Sequence, residues 1–428
     1  MHTDQPATYR EVFAVREYRH LFAANVLSLL GDQLAKVALT FLVFDTTGSA
    51  ALAATAFAVS YVPWIVGGPV LAAYADRLPR RTVLIASDVV RGLLVAVMVV
   101  PGLAYPALIA LLFVANLFRP PFVSARAAMM PDVLEGDRYV VAAGVDNITI
   151  QVAQVLGFAL GGALVTLLTP RGALLVDAVT FGASALFIVA GVHRRPAAAG
   201  GVRRSALRDF GGGAALVFSD RTLRAYLLLF WFASAFTYTV EGLAAPLAVQ
   251  YGGGAQTGGL VLAAAPLGVT VGGVLVTRFC PPAARLRLIL PLAFLSCAIL
   301  VPVASVPPLW GLLLLLVVAG LGGAFNIPLA PIFGRTVPDE FRGRAFGVAV
   351  AGVNAAQGLA MIAAGVVADH LAATTVIGWS GVAGTLAVLA VRPIWPVRAP
   401  GEQPGQEPGD EPGGVPGEEP DRAPGEAA

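Results

Sequence analysis

Asn25, Ser28, Asp32 and Lys36 follow one another at spacings of three, four and four along a single apolar stretch. On a helix that spacing puts all four on one face. An ionisable side chain in hydrocarbon costs on the order of 2.5–3.5 kcal/mol, so each one is expected to be paired or to face a cavity. Asp32 and Lys36, one turn apart, form an i to i+4 ion pair that makes insertion tolerable, or a proton-accepting carboxylate whose basic partner can separate from it. A second carboxylate, Glu241, lies midway along another apolar stretch that also carries Ser234, Thr237 and Tyr238. It either reaches interfacial water at a helix end or meets a cation inside a cavity. Asn147, Gln151 and Gln154, and separately Asn354 and Gln357, form polar stripes at helical spacing that can hydrogen-bond a bound molecule or join neighbouring helices. Trp64, Phe158, Trp231 and Tyr238 are candidates for aromatic surface against a large amphipathic ligand.

The elements that must hold these side chains are long apolar helices. The chain has 428 residues, 57% of them hydrophobic and 13% charged, and its mean hydropathy is +0.77. A bilayer core about 30 Å thick takes about 20 helical residues. The apolar runs are predicted at 20–44, 51–75, 82–102, 104–125, 140–168, 172–192, 223–250, 256–277, 285–305, 308–333, 344–369 and 373–391. They are too long and continuous for the ten-residue alternation of barrel strands. Arginine clusters in alternate loops: Arg77, Arg80 and Arg81; Arg126 and Arg138; Arg194 to Arg208; Arg278 to Arg287; Arg335 to Arg344; and Arg392 with Arg398. The intervening loops carry only Arg171. Because positive loops stay on the cytoplasmic side, this alternation implies twelve crossings of the inner or plasma membrane with both termini inside. The expected fold is an all-α membrane protein of twelve transmembrane helices in two six-helix halves.

Several function classes are set aside by the same residues. The net charge of +2 sums segregated basic loops and a mildly acidic tail, and does not suggest nucleic acid. A phosphate-binding Walker loop needs a lysine, and Lys36 is the chain's one lysine, inside the first apolar run. Cys280 and Cys297 suggest neither a disulfide nor a metal site, and the four histidines show no ligand spacing. No cofactor is expected, and the chain does not read as an enzyme. The first run carries Asp32 and Lys36 with no small-residue cleavage site behind it, so it reads as a retained helix. Residues 393–428 repeat Pro-Gly-Glu units and are expected to be disordered.

An internal repeat divides the apolar part. Pro131-Asp132 leads to Ala143-Gly144-Val145-Asp146, and Pro338-Asp339 leads to Ala351-Gly352-Val353-Asn354. Gly67-Gly68 before the first basic loop matches Gly272-Gly273 before a later one. The boundaries drawn are a segment 1–19, halves at 20–192 and 223–392, a connecting loop 193–222, and the tail. Repeats of this kind place a binding site between the halves near the midplane.

Asp76-Arg77-Leu78-Pro79-Arg80-Arg81 resembles the signature loop of the major facilitator superfamily. Leu30-Gly31-Asp32-Gln33, Ser87-Asp88-Val89-Val90-Arg91 and Val176-Asp177-Ala178-Val179-Thr180-Phe181 resemble the drug and siderophore exporters of that superfamily, which include macrolide and enterobactin efflux proteins. Gly157 to Gly162 resembles the glycine-rich antiporter motif with Phe158 in place of its proline, although helix packing alone also accounts for small residues there. The resemblance implies a conformational latch built from Asp76, Arg77, Arg80 and Arg81; Asp88 and Arg91, one turn apart near the cytoplasmic end of their helix, are expected as a structural ion pair with that loop rather than a substrate site. The resemblance also implies a proton-relay arginine at Arg119, coupled to Asp32 and Lys36. Substrate contacts are expected from Asn25, Glu241, Tyr238, Asn147, Gln151, Asn354 and Gln357. The implied activity is export of hydrophobic or amphipathic small molecules by proton antiport through a monomer, with protons, membrane lipid and a small molecule as partners. Import of a metabolite or sugar and translocation of a lysolipid are the alternatives.

Overall fold

The computed structural model describes residues 7–64, 78–195 and 206–395. Gly67, Gly68, Asp76, Arg77 and the tail from residue 396 lie outside them. The described residues are helical: α1 Tyr9–Ala14, α2 Arg16–Thr47, α3 Ala50–Ala58, α4 Arg80–Met98, α5 Tyr105–Leu117, α6 Arg119–Val133, α7 Asp137–Gly191, α8 Ala206–Ser219, α9 Arg221–Gly242, α10 Ala244–Gln250 and α11 Ala255–Phe279. They continue as α12 Pro282–Arg287, α13 Ile289–Ala298, α14 Leu309–Gly323, α15 Asn326–Thr336, α16 Arg342–Ala368 and α17 Ala373–Val391. Nine helical stretches among the described residues are long and apolar enough to span a bilayer. One of them, α7, is two spans: Thr169 leaves the helical region at φ 71°, ψ 163°, because Pro170 has no N–H to give and disfavours helix at the residue before it. The helix α4, which carries Arg80, Arg81, Asp88 and Arg91, and the shorter apolar stretch Ala50–Trp64 complete a set consistent with twelve.

Turn chemistry sets the chain reversals. Gly48 takes the left-handed conformation at φ 68° and ends α2 by donating its N–H to Phe44 O at 2.8 Å. Ser49 then caps α3, and Asp220 caps α9 by accepting from Leu223 N–H at 2.8 Å. The segment connecting the halves is not wholly a loop, since it holds the helix α8, whose Gly213 packs against Arg344.

The halves join at the end remote from the termini. One buried apolar core draws on both halves there, from Val37, Phe41, Ala53 and Phe57 to Leu243, Leu262, Met361 and Ile377. Towards the terminal end each half keeps its own core: Leu21, Leu84 and Met129 in the first, Tyr226, Ile289 and Phe325 in the second. Gly162 of α7 and Gly259 of α11 bring the halves into backbone contact, and a methyl at Gly162 would strike the Ala255 carbonyl oxygen. Gly157 and Gly161 of the same motif pack instead against Gln33 and Val37 of α2. Asp369, just past α16, caps α3 across the seam, accepting from Ala50 N–H at 2.6 Å, Ser49 Oγ at 3.0 Å and Ala51 N–H at 3.3 Å. The remaining hydrogen bond between the halves, among the described residues, joins Tyr61 to Glu241 deeper in the bundle. The molecule is therefore closed at the remote end and parts into two bodies towards the termini.

Candidate functional site

Three helices of the first half bring their buried polar side chains together. On α2, Ser28 and Asp32 are both buried. On α4, Ser87, Asp88 and Arg91 share the buried face with Leu84 and Val95. On the second limb of α7, Asp177, Phe181 and Ser184 recur at spacings of four and three, and all three are buried. Gly31 permits this approach, because a side chain there would collide with Asp177 Oδ1 and Thr180 Oγ1.

Asp32 does not pair with Lys36, as its i to i+4 spacing suggested. It is held by two guanidinium groups, Arg91 directly through Nη2 and Arg119 through Nη1 at 2.8 Å. Arg91 also donates to Ser28 Oγ at 3.1 Å and lies over the Phe181 ring at 4.3 Å. The expectation that Asp88 and Arg91 pair with the signature loop is corrected on the same ground. Arg91 serves Asp32, and Asp88 Oδ2 lies 2.5 Å from Ser184 Oγ. Two cations around one buried carboxylate hold it more firmly than an intrahelical lysine can, since guanidinium forks need less ordering per bond.

Lys36 is left without an ion pair among the described residues. Its ammonium lies 5.4 Å from the centroids of both Phe57 and Tyr61, within cation–π range. Tyr61 in turn donates to Glu241 Oε2 at 2.9 Å, so a cation, an aromatic ring and a carboxylate form a chain from one half to the other. Arg119 closes the other side, its guanidinium 5.9 Å from the Trp64 ring. A cavity of about 20 Å³, room for one water, lies among Asp32, Lys36, Ser60, Arg91, Asn116 and Asp177. The assembly numbers four carboxyls, Asp32, Asp88, Asp177 and Glu241, against three cations, Lys36, Arg91 and Arg119. With every group ionised it carries one net negative charge in a low-dielectric setting.

The other expected contacts divide. Asn25 and Gln357 are buried. Asn147 and Asn354 donate to carbonyls of their own helices, Ala143 O at 3.0 Å and Val350 O at 2.7 Å, where the halves stand apart. Gln151 is half-buried one turn from Asn147, and Tyr238 packs on the shared core one turn before Glu241. Phe158 is a core side chain against Phe57 and offers no ligand surface. Trp231 joins two helices through its Nε1–H to Ala349 O at 3.0 Å. Arg80 pairs with Asp132 at 2.6 Å and Arg81 donates to Val189 O at 2.7 Å, both within the first half rather than across the seam. Outside the membrane, Arg195 forms two bonds to Glu17, at 2.5 and 2.9 Å, which push its proton affinity further up. Asp177, Tyr61 and Asp369 escaped the choice of candidate residues. For Asp177 the signal was present, a lone acid in an apolar run; a tyrosine and an acid at a helix end carry none.

Comparison with known proteins follows the same lines. The sequence model of the Major Facilitator Superfamily matches residues 21–330. The chain is 27% identical over 370 residues to the multidrug efflux pump Tap of Mycolicibacterium fortuitum, covering 82% of this chain and 88% of Tap. It is 24% identical over 206 residues to the uncharacterized MFS-type transporter YkuC of Bacillus subtilis (strain 168), a match that spans only 48% of that relative. Among solved structures, a bacterial homologue of the human lysosomal transporter Spinster superposes with a TM-score of 0.69 at 14% identity, covering 89% of this chain and 96% of that one. A POT family transporter in complex with a thioalcohol-conjugated peptide gives 0.68 at 13%, covering 90% and 95%, and a mutant form of the nucleoside transporter NupG gives 0.68 at 14%, covering 88% and 100%. At these identities the likeness is one of fold.

Proposed function

The chain belongs to the major facilitator superfamily of membrane transporters, and from that premise we propose that it exports cationic or amphipathic small molecules in exchange for protons. The observation that carries this reading is Glu241. It is a carboxylate at the junction of the halves, tied to the first half by Tyr61, with the unpaired Lys36 ammonium over the same ring. A substrate cation entering from the open terminal end competes with Tyr61 and Lys36 for this carboxylate. Occupying it removes one of the ties between the halves, and loosening them is the step that alternating access requires. Asp32, clamped by Arg91 and Arg119, is the group that accepts the returning proton, because protonation releases two guanidinium contacts at once. The arginine-rich loops support a cytoplasmic terminal end in a plasma or inner membrane, and on that reading the described state faces inward. The similarity to Tap supports efflux rather than uptake. One chain holds both halves of the site, in keeping with a monomer.

Inside-out vesicles or proteoliposomes with an imposed pH gradient test the reading. An acidic lumen is expected to drive uptake of lipophilic cations from a chemically diverse panel, and an ionophore that collapses the gradient abolishes it. Uptake driven only by the opposite gradient, or no gradient-driven flux of any cation in the panel, overturns it.

A further inference from the structure

The exporter reading uses Asp32 and Glu241 and leaves Asp177 unexplained. Asp177 has no exposed surface, and its Oδ2 has no hydrogen-bond partner. Burying an ionised carboxylate this way is among the costliest things a fold can do unless a partner or a proton compensates it. A structural role would be served better by an apolar residue of similar volume.

The hydrogen bonds around it favour a bound proton. Thr180 Oγ1 donates its single proton to Asp177 O at 2.7 Å, and that same oxygen lies 3.3 Å from Asp177 Oδ1. With the hydroxyl proton committed to the backbone, a lone pair faces the carboxyl, and the contact becomes a hydrogen bond when Asp177 is the donor. The same holds one layer away. Ser184 Oγ donates to Ala24 O at 3.0 Å while standing 2.5 Å from Asp88 Oδ2, and both bonds form together only if Asp88 supplies a proton. The charged groups facing Asp177 are Asp32 on α2 and Arg91 and Asp88 on α4. The water-sized cavity touches Asp32 and Asp177 alike, so one water there can pass a proton between them.

We propose that Asp177 is a second proton-carrying residue of the transport cycle, exchanging a proton with Asp32 through the water-sized cavity between α2 and the second limb of α7. When Asp32 is clamped by Arg91 and Arg119, the proton resides on Asp177. When the clamp opens, Asp32 takes the proton from the cavity water, the water takes the one leaving Asp177, and the resulting carboxylate faces the freed Arg91. A single proton passes from Asp177 to Asp32 by way of the water, with no change in the total. The proposal rests on the antiport reading above.

The test counts protons and substrate together. In proteoliposomes, the wild-type protein and Asp177→Asn are compared for proton flux per substrate with a lumenal pH dye, alongside substrate counterflow without a gradient. The expected result is loss of gradient-driven accumulation with counterflow retained. Infrared difference spectra between acid and alkaline pH supply an arm independent of transport: a protonated-carboxyl carbonyl component in the wild type, separate from that of Asp88, that Asp177→Asn removes. Thr180→Val keeps the carboxyl and removes the facing hydroxyl, so it tests the same point if the asparagine variant does not fold; it is expected to displace that band and the pH profile of coupled transport. A wild type that moves substrate with no protons sinks the antiport reading and this proposal together. A coupled wild type whose proton count and infrared band survive Asp177→Asn sinks this proposal alone, as does a band and profile untouched by Thr180→Val.

Discussion

Removing the Asp369 side chain should open the end of the molecule that the structure shows closed. Asp369 belongs to the second half, yet its carboxylate accepts three hydrogen bonds from the first turn of α3 and the residue before it, at 2.6 to 3.3 Å. These bonds exist only while the halves meet, so Asp369→Ala acts on the closed state and leaves the open one nearly untouched. Losing a capping side chain costs about 0.5–2 kcal/mol. A negative charge at a helix N-terminus contributes about 0.3–1 kcal/mol more. Asp369 is exposed, so water replaces part of what is lost, and a net effect of about 1–2 kcal/mol follows. That corresponds to a change of roughly 5- to 30-fold in the ratio of closed to open molecules. Spin labels at Thr47 and Leu371, on opposite sides of the seam, report the ratio by pulsed dipolar spectroscopy after Cys280 and Cys297 are replaced. The longer-distance population should grow in the variant, and Asp369→Glu should restore part of the difference. A distance distribution identical to the parent's would refute the view that this cap holds the halves together.

Other perturbations separate the parts of the mechanism. Gly162→Ala puts a methyl against the Ala255 carbonyl oxygen at an overpacking cost of about 1–3 kcal/mol, so it should also favour the open remote end; unchanged reactivity of cysteines placed along the seam would count against it. Glu241→Gln should weaken transport of cations far more than of neutral compounds, and equal loss for both would point to proton coupling or structure instead. Asp32→Asn should abolish gradient-driven transport while counterflow persists, with abundance measured alongside because two buried guanidinium groups lose their carboxylate; wild-type pH dependence in that variant removes Asp32 from the coupling step. A chain ending at residue 399 should transport like the full-length protein, since exposed ion pairs from the tail are worth about 0–1 kcal/mol each; a changed rate at equal membrane abundance would assign the tail a regulatory role.

Helix positions were legible in the sequence because hydrocarbon forces every backbone polar group to be satisfied within the segment, and only a long apolar run does that. Run 373–391 coincides with α17, and 256–277 falls within α11. The first run, expected at 20–44, extends to Arg16–Thr47, because polar residues at its ends remain helical beyond the apolar core. Asp32 and Glu241 were legible too, as charges that cannot sit in lipid without a reason. The partners of those charges were not. Helical spacing orders side chains along one helix, which favoured Asp32 with Lys36. The groups that hold Asp32 arrive from α4 and α6, some 59 and 87 residues away, and only helix packing could choose them. The cap of α3 by Asp369 spans 319 residues and depends on the two halves being closed. Local pattern thus determined what enters the membrane, whereas contact between helices decided which buried charges neutralise each other and at which end the halves meet.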